Sequence, residues 1–210
     1  MINFKLNKSN NKLYFLISMH SDSLFSQFIN SVNATNKKSE NTEAAPFANS
    51  RLRNSLDEIK NLLGEGSLFP QQRAAICAYL HHMHSTLKET QRTVRIIILA
   101  KDLIPLQVKS KIGMLLEDTA KHYKLLSKYS ICDFRLNVDS ISSIARTFQS
   151  DKRIYKDTLS QLRKNVSESE ESLPAKIFIN RIISNTAGIV AMIEETILTV
   201  ESSAALSNTA

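Results

Sequence analysis

The feature that most constrains this 210-residue chain is a run of side chains at alternating steps of four and three: Ile76, Leu80, Met83, Leu87, Thr90, Val94 and Ile97. A 3.6-residue period brings residues three and four apart onto one side. The run therefore lays a single stripe down a long α-helix, and a stripe of that length must be buried. The spacing returns in Val108, Ile112, Leu115, Thr119, His122, Leu126 and Tyr129, and in Ile141, Ala145, Phe148, Tyr155, Leu159, Leu162 and Val166. It is most apolar in Phe178, Ile179, Ile182, Ile183, Val190, Ile193, Ile197 and Val200. Four glycines and four prolines are too few for turn-rich β folds or Gly-looped nucleotide sites. The segments share a period but no sequence, so no solenoid repeat is present.

Punctuation sets the boundaries. Ser50 caps a short helix carrying Leu52, Leu56, Ile59 and Leu63, closed by Gly64 and Gly66. Pro70 suits the first turn of a helix over 71–103, and Pro105 ends it before the next, over 106–130. Asp139 or Ser140 caps a further helix that stops at the acidic, Ser-rich stretch 167–172. Ser172 and Pro174 then serve as cap and first-turn proline for the last one. The expectation is an all-α fold, an up-and-down bundle of four long helices plus one short one over 50–202. A flexible tail rich in Asn, Ser and Lys precedes it over 1–49, and a disordered C-terminus follows over 203–210.

Within the tail, Ile2, Phe4 and Leu6 alternate ahead of 13–17, and an Asp22-capped turn carries Leu24, Phe25, Phe28 and Ile29. Those four are the expected docking residues for another protein. Lys5, Lys8 and Lys12 before the apolar stretch 13–19 have the outline of a signal peptide, but His20-Ser21-Asp22 is no small-residue cleavage site. A cytoplasmic protein, or one secreted without a cleaved signal, is expected. Cys77 and Cys132 are read as free thiols in a reducing compartment. Uninterrupted apolar runs such as 96–100 are far shorter than the roughly 18 to 20 residues that span a bilayer, so no transmembrane segment is expected.

The formal net charge of +7 is unevenly spread. Residues 134–166 carry seven basic and three acidic side chains, a net +4, whereas 167–210 carry two and six, a net −4. Arg146, Lys152, Arg153, Lys156, Arg163 and Lys164 share one broad helical face, which makes nucleic acid the alternative partner through its phosphates. Against it, no exposed aromatics are expected to interleave with these cations, and the acidic last helix offers them carboxylates.

No catalytic motif appears: neither G-x-G-x-x-G nor a Walker A loop nor a G-x-S-x-G elbow. Cys77, His81 and His84, at i, i+4 and i+7 with His82 beside them, form the best metal-like constellation, yet three donors on one helix seldom close a tetrahedral site. The expectation is a buried Cys among partly exposed His, with no metal and no cofactor. His122 falls on a core stripe and reads as a hydrogen-bonded core or rim histidine. Adjacent acids such as Asp57-Glu58, Glu117-Asp118, Glu170-Glu171 and Glu194-Glu195 diverge by about 100° on a helix and read as solvated charges.

Ser50-Arg51-Leu52-Arg53 at a helix start resembles the Gly-x-Leu-Arg-x-x-x-Thr arginine-finger motif of bacterial secreted GTPase-activating helical bundles. Leu52 and Arg53 match; Ser50 replaces the glycine and Asp57 the threonine. The resemblance implies Arg53 as a finger toward a nucleotide phosphate, which the charge of Asp57 would oppose. The layout of polar tail and helical module also resembles that of bacterial secreted effectors. The expected function is non-enzymatic: a protein-protein interaction module of adaptor or effector type, as a monomer or a homodimer, since four-three stripes also serve coiled-coil association.

Overall fold

The computed structural model describes residues 2–36, 49–65, 68–128 and 138–207. All regular structure among them is α-helical: α1 (Ile2–Asn36), α2 (Asn49–Glu65), α3 (Pro70–Leu99), α4 (Leu106–Lys128), α5 (Val138–Glu168) and α6 (Leu173–Ser207). The all-α expectation holds, with six helices among the described residues where five were expected.

The additional helix comes from the stretch read as a flexible tail. Residues 2–36 form α1 because Leu13, Ile17, Ser21, Leu24, Phe28 and Val32 continue the four-three stripe, and all six are buried. Ser21 stands at a stripe position, which hides the period from a search for apolar residues. Its hydroxyl accepts from the buried Tyr79 hydroxyl at 3.1 Å, and Ser31, also buried, donates to the Gln27 carbonyl at 2.8 Å. Polar atoms with partners cost little to bury, so the stripe packs despite them. Residues 37–48 of the expected tail lie outside the described residues. At the other end α6 continues to Ser207, through residues expected to be disordered.

Helix ends follow the local chemistry. Pro70 is the first residue of α3, and the Phe69 N–H donates to Gln72 Oε1 at 3.3 Å. Ser172 Oγ accepts from the Ala175 N–H at 3.4 Å, with Pro174 in the first turn of α6. α3 stops at Leu99, four residues before the expected end. From there Ala100 N–H bonds the Ile96 carbonyl and Leu103 N–H the Ala100 carbonyl, both at 2.9 Å, a tightened turn that leads into Pro105.

α3 and α4 each pack against both α1 and α6, with α2 lying on α1 and α5 on α6. Two tyrosine hydroxyls reach between α3 and α4, which pack on α1 and α6 rather than closely on each other. The Tyr123 hydroxyl donates to the Met83 carbonyl at 2.9 Å, and Tyr79 Oη lies 3.3 Å from the Leu126 carbonyl. Pairing 83 with 123 and 79 with 126 makes α3 and α4 antiparallel. Ser142 with Glu201, Gln149 with Glu194 and Arg163 with Ser184 do the same for α5 and α6. One continuous core results, in which Phe28, Ile59, Ile76, Met83, Ile112, Tyr123, Phe148, Ile183 and Ile193 are wholly enclosed.

By length and composition, 173–203 of α6 is apolar enough to cross a membrane. Its polar breaks kept it from standing out as a continuous apolar run. Here its stripe of Ile179, Ile182, Ile183, Ile189, Val190, Ile193, Ile197 and Val200 is buried in the bundle.

Candidate functional site

The structure places the expected docking residues inside the chain's own core. Leu24 and Phe28 are wholly buried, and Phe25 and Ile29 pack partly buried against them. Phe28 stacks on Tyr123 with ring centroids 4.8 Å apart. The reason is the stripe of α1: the apolar cluster that looked unpartnered on an isolated turn faces α3 and α4.

The metal-like constellation also separates. Cys77 and His81 are exposed, whereas His84 turns inward. His82 is half-buried, 3.3 Å through Nδ1 from Glu195 Oε2 on α6. Cys132 lies outside the described residues. What His84 meets is His20 of α1, Nε2 to Nε2 at 2.7 Å, while His20 Nδ1 lies 2.6 Å from Ser55 Oγ of α2. Burial, then the His84 charge, pushes His20 down to about 4; burial, Lys60 and His81 lower His84. With both rings neutral the chain of bonds closes, because one Nε2 donates and the other accepts. The pair ties three helices together, with His20 buried and His84 partly so. Among the described residues no group of three His, Cys, Asp or Glu side chains is placed to hold a metal ion.

His122 is buried as its stripe position required. Its Nε2 lies 2.9 Å from Asp151 Oδ2 and its ring stands edge-on to Phe148 at 5.0 Å. Nδ1 finds no hydrogen-bond partner among the described residues. Arg53 is exposed on α2, and Asp57, one turn on, is exposed as well and 4.0 Å from Lys60.

The basic helix α5 divides into tied and free cations. Lys152 bonds Glu194 of α6, which also accepts from Gln149 Nε2 at 3.0 Å. Burial opposes ionisation of Glu194, but the bonds from Lys152 and Gln149 and the charges of Lys152 and Lys156 outweigh it and lower its pKa. Arg163 reaches Ser184, and Lys164 lies 4.0 Å from Glu168. Arg146 and Arg153, two helical turns apart and exposed, make no hydrogen bond or ion pair among the described residues. They line an open groove of about 660 Å³ between α5 and α6, with Ala145, Ile197 and Leu198 as its apolar part and Gln149, Glu194 and Glu201 on its walls. Sequence reasoning found the cations of this site but not the groove, whose α6 wall of Glu194, Ile197, Leu198 and Glu201 repeats at three and four residues. The arrangement sets two guanidiniums beside an apolar strip. Comparison with known proteins finds no matching family model and no matching curated protein.

Proposed function

We propose that this protein is a non-enzymatic protein-protein interaction module, a helical scaffold that presents surfaces to another protein. The observation that carries the reading is how its chemistry is distributed. The inward histidines and Lys152 are tied within the fold, while several large apolar side chains and the Arg146 and Arg153 guanidiniums face outward. Leu99, Leu103 and Leu106 at the α3–α4 turn are 78, 41 and 79 % exposed, Leu173 and Ile177 of α6 are 72 and 58 % exposed, and Leu198 in the groove is half exposed. Large apolar side chains left in water on a well-packed scaffold are a feature of interaction surfaces. The antiparallel packing of consecutive α5 and α6 supports an up-and-down order for that pair.

The test is affinity capture with the full chain as bait, after nuclease treatment and in high-salt washes, beside an R146E/R153E bait. A protein retained through both washes supports the reading. Retention that needs nucleic acid and falls steeply with salt overturns it in favour of a phosphate-binding face.

A further inference from the structure

We infer that the α5–α6 groove receives an acidic, amphipathic helix of another protein. The inference rests on the interaction-module reading and adds the site and the chemistry of the partner.

The groove has the form that a helix needs. On one side Ser142, Ala145, Arg146, Gln149 and Arg153, and on the other Glu194, Ile197, Leu198 and Glu201, follow three-and-four spacing along antiparallel helices. The trough runs between two antiparallel helices, and 142–153 of α5 spans about 17 Å at 1.5 Å per residue. Leu198, 48 % exposed, supplies the apolar contact, and Ile197 and Ala145 extend it downward. A docked helix would place one apolar side chain there and further anchors a turn to either side.

Charge selects the sign of the partner. The two carboxylates are already held from within, Glu194 by Lys152 and Gln149 and Glu201 by Ser142 Oγ at 3.4 Å. The two guanidiniums have no such partner among the described residues. The lining therefore carries two untied guanidiniums beside two carboxylates that already have partners. Arg146 and Arg153 are about 10 Å apart along α5, the spacing of carboxylates seven residues apart on a partner helix. Each guanidinium can grip one of them with a two-pronged, charge-assisted bond. The apolar floor favours a peptide over a nucleic-acid backbone, which would leave Leu198 uncovered.

A phage-displayed library of helical peptides, randomised on one face and selected against the full-length protein, tests this. Selected peptides are expected to carry Asp or Glu at seven-residue spacing around an apolar residue, and to protect 142–153 and 194–201 from hydrogen exchange. They should bind R146A and R153A about tenfold more weakly each, while R146K/R153K recovers part of the loss. Peptides that lack acids and bind R146A/R153A unchanged would overturn the groove assignment and leave the wider interaction reading intact. If no helix is retained, the groove assignment falls and the wider interaction reading stands; if a short DNA duplex displaces those that are retained, both fall.

Discussion

His20 and His84 meet Nε2 to Nε2 at 2.7 Å where α1, α2 and α3 come together, and Ser55 holds the far nitrogen of His20 at 2.6 Å. Two neutral rings satisfy this line of bonds, and two protonated rings would aim N–H at N–H across it. Lys60 and His81 face the same spot and add positive charge to it.

The first prediction is a loss of stability toward acid. Unfolded, His20 takes up a proton near 6.5; folded, burial and the His84 charge hold it down at about 4. The unfolded chain thus binds more protons between those values, and stability, full above about 6.5, falls as pH drops toward 4. Between pH 7 and 5 the loss from His20 is on the order of 1–2 kcal/mol. Lowered His84 adds to it with the same sign. Denaturant midpoints measured across this range should decline, and His20→Gln should flatten the decline. A midpoint that is level from pH 7 to 5 would refute the neutral pair.

The second concerns α1. If Phe28 belongs to the core, stacked 4.8 Å from Tyr123, Phe28→Ala costs about 3–5 kcal/mol. Leu24→Ala, at a wholly buried site, costs about 2–5 kcal/mol by the same mechanism. Phe15→Ala, at a position 63 % exposed on the same helix, should cost under about 0.5 kcal/mol. Urea unfolding of the three variants checks the ordering. Were the helix only lightly docked, all three would melt like the parent.

The helical stripes over 70–202 were legible because they are written in Ile, Leu, Val and Phe, and because Pro70, Ser172 and Pro174 mark helix starts, whereas the helical 203–207 was expected to be disordered. α1 was not, for a physical reason: Ser21 stands on its stripe, beside buried His20 and among Asn, Ser and Lys. The partners that make it buriable, Tyr79 for Ser21 and His84 for His20, lie 58 and 64 residues away. The same distance in sequence concealed the candidate site. Arg146 and Arg153 could be picked out on their own helix, but the groove exists only once α6 lies antiparallel beside them.

A third prediction isolates the pairing of α5 with α6. Lys152 and Glu194, both mostly shielded with side chains 18 and 21 % exposed, couple more firmly than a fully solvated pair. A double-mutant cycle with Lys152→Met and Glu194→Gln should return a coupling of about 0.5–1 kcal/mol that persists in moderate salt. Because its folded pKa is lowered, the Glu194 contribution is present above its ordinary value of 4.5 and vanishes as pH falls below the folded value. A coupling indistinguishable from zero would place both side chains in free solvent.

The fourth prediction uses the tyrosines as reporters of the register of α3 against α4. Burial, reinforced by Tyr79, raises the Tyr123 hydroxyl well above its ordinary value of 10, and burial beside Asp151 and Asp118 raises Tyr155. A tyrosinate at Tyr123 would be enclosed with the Met83 carbonyl 2.9 Å away, a negative charge facing an acceptor with no proton between them. In a spectrophotometric titration these two rings should therefore ionise only together with unfolding, in one step that coincides with loss of helical circular dichroism. Tyr123→Phe removes one of the two, leaves the ring stacked on Phe28, and should cost about 1 kcal/mol, since the Met83 carbonyl keeps its helical bond. Reversible ionisation of Tyr123 in a chain that stays helical would show that its hydroxyl reaches water and that the α3–α4 register is wrong.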